Sequence, residues 1–108
     1  MDVKLFREGG IAVFQVTGEI NIGTSQELLK IFEKESSGKI VVDLEKVNYI
    51  DSSGLAALVE MLKTVKSRSG GLGLAGLSDK VRSLFEITKL DKLFPIYTNR
   101  ARALAEMK

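Results

Sequence analysis

Residues 40–62 read Ile40-Val41-Val42-Asp43-Leu44-Glu45-Lys46-Val47-Asn48-Tyr49-Ile50-Asp51-Ser52-Ser53-Gly54-Leu55-Ala56-Ala57-Leu58-Val59-Glu60-Met61-Leu62. Ile40 to Val42 and Leu44 form an apolar, β-branched run, the composition of a strand buried on both faces. Leu55, Leu58, Val59 and Leu62 recur at i, i+3, i+4 and i+7, which predicts a helix with one apolar stripe. Between the two lies Asp51-Ser52-Ser53-Gly54, whose Asp and Ser are good residues for starting a helix. Gly70-Gly71 ends the helix and Leu72 to Leu77 reads as a further strand. A strand, a helix and a strand in succession favour parallel pairing through a crossover.

Working toward the amino terminus, Val3–Phe6 and Ile11–Thr17 are short strand-like runs joined at Glu8-Gly9-Gly10. Two glycines there supply the positive φ angles of a tight antiparallel hairpin. Thr24 to Glu27 reads Thr-x-x-Glu, a capping-box pattern predicting a helix with Leu28, Ile31 and Phe32 inward, stopped at Ser36-Ser37-Gly38. Toward the carboxyl terminus, Ser78 can cap a third helix carrying Val81, Leu84 and Phe85. Leu93-Phe94-Pro95-Ile96-Tyr97 reads as a turn and a short edge strand. Thr98 or Asn99 then caps a last helix with Ala101, Leu104 and Ala105 inward. The expectation is an α/β fold: a mixed four- to five-stranded sheet with about four packed helices, in one domain spanning 1–108.

Composition bounds the chemistry. The 108 residues are 44% hydrophobic and 28% charged, ordinary for a globular domain. Cys and His are both absent, which excludes disulfides, zinc–thiolate sites and every Ser–His or Cys–His nucleophile. Sixteen basic and fourteen acidic residues leave a net charge of +2, with the signs mixed along the chain. A nucleic-acid binder concentrates cations on one face. The small clusters Lys63, Lys66 and Arg68, then Arg100 and Arg102, read instead as cations near helix C-termini that complement the dipole. The longest uninterrupted apolar run, Leu55 to Val59, is far short of the ~18 residues of a spanning helix. No targeting pattern is visible at the amino terminus. The expectation is a cytoplasmic protein that neither inserts into a membrane nor binds nucleic acid directly.

Two motif matches fail on context. Gly71-Leu72-Gly73-Leu74-Ala75-Gly76 fits G-x-G-x-x-G, yet the dinucleotide fingerprint needs a strand before the glycines and a helix opening among them. Here a helix stop precedes and the glycines lie in the strand, where they permit close packing. Ser53 lacks the flanking glycines of a nucleophile elbow and any imidazole to deprotonate it. A phospho-aspartate at Asp43 or Asp51 would need an acidic pair for Mg²⁺, and Glu19 alone is inadequate. Two readings of Asp51-Ser52-Ser53-Gly54 remain. One is a plain helix cap; the other is a phosphate-accepting serine at a helix amino end, where free N–H groups and the dipole favour an anion.

Gly18-Glu19-Ile20-Asn21, Ile40-Val41-Val42-Asp43-Leu44 and Tyr49-Ile50-Asp51-Ser52-Ser53-Gly54-Leu55 together resemble the STAS domain family, in particular the bacterial anti-sigma-factor antagonists. Leu74-Ala75-Gly76-Leu77-Ser78 and Leu90-Asp91-Lys92-Leu93-Phe94-Pro95-Ile96-Tyr97 follow in the family's order, so the resemblance covers nearly the whole chain. It implies a binding module rather than an enzyme, with no cofactor of its own. The partner would be an anti-sigma factor that is also a serine kinase; it binds the unmodified antagonist and releases it after phosphorylation of Ser53. A PP2C-type serine phosphatase resets the switch. By the same resemblance Asp51, Ser52, Ser53, Gly54 and Leu55 bind the partner, Gly54 giving room for its close approach, and Asn21, Gly23 and Thr24 beside them complete the binding surface. Many antagonists carry Asp where this chain has Asn21, which removes one negative charge near the phosphate. The alternative within the family is a STAS subunit of a lipid-transporting ABC complex or signalling scaffold, using the same loop without phosphate cycling. Direct nucleotide binding is a third reading that nothing in the glycine pattern encourages.

Overall fold

The structure is a computed structural model and describes residues 1–107. Strand β1 (Asp2–Glu8) and strand β2 (Ile11–Ile20) form the hairpin, antiparallel with Glu8 opposite Ile11 and Asp2 opposite Thr17. Gly9 and Gly10 sit at φ +57° and +81°, the left-handed pair a two-residue turn demands. Helix α1 (Ser25–Glu33) crosses to strand β3 (Lys39–Ile50), parallel to β2. Helix α2 (Ser52–Ser67) leads to strand β4 (Gly71–Ala75), parallel to β3. Helix α3 (Asp79–Ile87), a 3₁₀ turn at Leu90–Lys92, strand β5 (Ile96–Tyr97) and helix α4 (Arg100–Glu106) complete the chain. The sheet runs β1-β2-β3-β4-β5, with the hairpin as its antiparallel part. This is the expected α/β architecture, five mixed strands with four helices.

The two faces of the sheet are covered unequally. On one, Phe14, Val16, Val42 and Leu44 meet Leu28 and Phe32 of α1, Leu58 and Met61 of α2, and Val81 and Phe85 of α3. On the other, Ile11, Val13, Val41 and Ala75 are covered by Ala103 of α4, with Phe6, Tyr97, Leu104 and Met107 around them. A fully buried Leu, Ile or Phe contributes about 1.5–3 kcal/mol, so the three-helix face holds most of the stabilisation. The alternation of β3 between these layers explains why it reads as an apolar run, and Ile11 to Phe14 of β2 are buried on both faces in the same way.

Several sequence expectations are corrected. The third strand does not stop at Leu44; it continues to Ile50, pairing with β2 alone beyond Asp43, because Val47 and Ile50 still point into the core while Glu45, Lys46, Asn48 and Tyr49 face solvent. Strand β4 ends at Ala75 rather than Leu77, where Gly76 turns the chain at φ +72°. Thr24 does not build a capping box: its backbone is already helical and its side chain caps nothing in α1. Ile31 and Leu84 are half-buried rather than core, and α4 turns Ala103 inward while Ala101 and Ala105 are exposed. Arg100 and Arg102 lie at the start of α4, not at a helix C-terminus. Arg100 instead pairs with buried Asp43 at 3.4 Å and stacks on Phe6, and Arg102 pairs with Glu106.

Candidate functional site

The ends of β2 and β3 lie side by side, Ile20 opposite Ile50. This sets the loop after β2 next to the start of α2, with Ile22 as the residue bonded across. Asp51 joins them. Its Oδ1 accepts the Gly54 N–H at 2.9 Å, capping α2, and its Oδ2 accepts the Ile22 N–H at 3.1 Å. The Asp51 N–H in turn donates to the Ile20 carbonyl at 3.2 Å. A carboxylate taking two backbone N–H groups makes the stronger, charge-assisted kind of hydrogen bond.

Asn21 organises the other loop. Its Oδ1 accepts the N–H groups of Gly23 and Thr24 at 2.9 and 3.1 Å, an Asx turn that carries the chain into α1. Thr24 Oγ1 accepts the Asn21 N–H at 2.9 Å and donates to the Glu19 carbonyl at 2.9 Å. The Asn21 amide donates to Glu19 Oε1 at 3.1 Å. The amide thus supplies both the acceptor the turn needs and a donor that aspartate lacks.

Gly54 fits where no side chain can. A Cβ at this position would stand 2.3 Å from the Ile20 carbonyl oxygen and 2.8 Å from Ile50 Cγ2. Its room is therefore taken by the chain's own β2 and β3 ends. Gly54 and Leu55, expected to meet a partner, are buried against the chain's own core and shape the loop from beneath instead. Ser52 is exposed and Ser53 half-buried, at the first and second positions of α2. The first N–H groups of a helix have no partner within it; Asp51 takes that of Gly54.

Ser53 also opens a cleft between α1 and α2. Ile22, Ser25, Gln26, Leu29, Ala56, Ala57 and Glu60 line it with Ser53, enclosing about 340 Å³. Ile22 is 78% exposed, an apolar side chain left standing in solvent next to the serine. Sequence reasoning missed Ile22; the signal was an isoleucine set between Asn21 and Gly23 in an otherwise polar turn. Among the described residues, no group of three or more acidic side chains could hold a metal ion, and no helix is long and apolar enough to cross a membrane.

The STAS domain family matches the chain over residues 3–103. A Listeria monocytogenes protein named anti-sigma-B factor antagonist is 37% identical over 84 residues, spanning 75% of this chain and 74% of that protein. The crystal structure of an anti-sigma factor antagonist from Mycobacterium paratuberculosis superposes with a TM-score of 0.89 at 27% identity, covering 98% of this chain and 92% of that one. A Bacillus cell fate determinant in its phosphorylated form shares the fold, with a TM-score of 0.77 at 15% identity over 99% of this chain and 100% of that one. With the family's match spanning nearly every strand and helix just described, the chain belongs to the STAS domain family.

Proposed function

We propose that this protein is an anti-sigma-factor antagonist that regulates sigma-factor-dependent transcription by partner switching. Unmodified, it binds an anti-sigma factor that is also a serine kinase. Phosphorylated on Ser53, it lets go, and a PP2C-type phosphatase restores binding. In this reading it is a substrate and binding module of the cytoplasm, not a catalyst.

The observation that carries the reading is the placement of Ser53: half-buried, on the second residue of a helix whose start is bolted to the neighbouring loop by Asp51. A phosphoryl group there adds about −1.5 to −2 charges at neutral pH. Its own helix end tolerates that charge through free N–H groups and the dipole. A docked partner does not gain from it. Asp51 already places a carboxylate two residues away. At ~6 Å and an effective dielectric near 20, each further pair of like charges repels by roughly 3 kcal/mol. Screening can halve this, and ~1.4 kcal/mol already changes affinity tenfold. Release therefore needs no large change of fold. The cleft beside Ser53 and the exposed Ile22 give the partner an apolar anchor within reach of the switch.

The direct test is incubation with the cognate kinase and ATP, followed by mapping of the phosphate by mass spectrometry. A single mark on Ser53, absent in Ser53→Ala, is the expected result. A mark elsewhere, or none while the kinase modifies another substrate, contradicts it.

A further inference from the structure

On the other flank of α2, reaching from the phosphoserine loop to α3, lies a second concavity. It is a trough of about 480 Å³ between the end of β3 and one side of α3, the size class of small-molecule sites. Tyr49, Ile50, Leu55, Leu84 and Ile87 give it apolar walls. Tyr49 and Ile87 are 42% and 78% exposed, so the fold leaves this apolar surface in water.

The polar groups around the trough are mostly committed already. The Ser83 hydroxyl donates to the Asp79 carbonyl at 2.9 Å within α3, and the hydroxyl of Thr88, which follows the helix, to the Leu84 carbonyl at 2.7 Å. Each Asp51 oxygen holds a backbone N–H. Lys80 is the one cation lining the trough, and among the described residues it has no carboxylate partner. An apolar trough with a single free ammonium complements a molecule with an aliphatic chain and one anionic end.

We infer that this trough binds a free medium-chain fatty acid, the chain lying against Tyr49, Leu84 and Ile87 and the carboxylate at the Lys80 ammonium. Because Asp51 and Ser52 form part of the wall, the occupant touches the first turn of α2, one residue from Ser53.

The test titrates the full chain with hexanoate, octanoate and decanoate, and with the uncharged methyl octanoate, by calorimetry and amide chemical-shift mapping. Affinity should rise about two- to fourfold per added methylene, with shifts centred on Tyr49, Leu84 and Ile87. Lys80→Gln, at an exposed position, should weaken octanoate about two- to fivefold and leave methyl octanoate unchanged. Ile87→Asp should cost about tenfold or more for the carboxylates. Thermal melting of both variants checks that the fold is retained. Absence of saturable binding, shifts confined to another surface, binding only to anionic lipid vesicles, or equal weakening of acid and ester by Lys80→Gln would each overturn the assignment. No kinase is needed, so failure here leaves the partner switch standing, and failure of the switch leaves this site testable.

Discussion

Helices α2 and α3 both follow a parallel strand and both start on a side-chain oxygen. Asp51 Oδ1 accepts the Gly54 N–H at 2.9 Å, and Ser78 Oγ accepts the Val81 N–H at 3.2 Å. The Ser78 cap ends there. The Asp51 cap reaches on to Ile22, 29 residues away, and the glycine it caps is pressed against the Ile20 carbonyl. The far ends differ in the same way. Thr88 at the end of α3 bonds its own helix, whereas Arg68 at the end of α2 donates to the Glu35 carbonyl at 3.1 Å and stacks on Phe32. One helix is capped; the other is fastened at both ends. A serine on the fastened helix can gain charge without moving its scaffold, which is what a switch read by a partner requires.

The largest effect should come from Gly54→Ala. Its methyl would collide with backbone, which cannot rotate away, and overpacking of that kind costs about 3 kcal/mol. At roughly 4–8 °C per kcal/mol for a domain near this size, the melting temperature should fall by at least about 12 °C. The same position of α3 holds a valine, Val81, fully buried without such a clash. A melt within ~3 °C of wild type would show that the β2 and β3 ends give way, and the contrast between the helices would fail.

Next in size is the pair Asp51→Ala and Ser78→Ala. Loss of a local cap costs about 1 kcal/mol; loss of a charged group holding two backbone N–H groups should cost about 2–3 kcal/mol. Chemical denaturation of the two variants measures the difference directly. Equal losses would mean that the bond to Ile22 contributes nothing.

The smallest effect probes the far end of α2. Glu35 is buried beside α2, and its carboxyl is held below the usual carboxylate range by the Ser37 hydroxyl, then by Arg7 and the Ser37 N–H, against the opposing pull of burial. A native pKa below the unfolded one adds stability that is complete above about pH 5 and disappears as the pH falls through the native value. Wild type should therefore lose stability more steeply than Glu35→Gln between about pH 5 and pH 3. Parallel acid titrations of the two would remove Glu35 from the anchoring of α2.

Much of this was legible in the residues. Gly9-Gly10 fixed the hairpin, the β-branched run from Ile40 fixed a central strand, and Asp51-Ser52-Ser53-Gly54 marked the start of a helix. Glu45 and Lys46 hid the second half of β3, because a strand exposed on one side past the end of its neighbour loses the continuous apolar pattern. The Thr-x-x-Glu pattern at Thr24 misled for a related reason. The threonine hydroxyl is taken up in the loop before the helix, accepting the Asn21 N–H and donating to the Glu19 carbonyl. The bond from Ile22 to Asp51 links positions too far apart for any local pattern to announce. The same holds for the trough beside α3, whose walls come from β3, α2 and α3 and meet only in the fold.

The central claim separates fold from affinity, so both belong in one measurement: calorimetric titration of the cognate anti-sigma kinase with unmodified and Ser53-phosphorylated protein, with thermal melts of the same two samples. Binding should weaken at least tenfold, ~1.4 kcal/mol or more, while the melting temperature shifts by no more than about 4 °C in either direction. Equal affinity for both forms, or weakened binding only because the phosphorylated protein has unfolded, would contradict it.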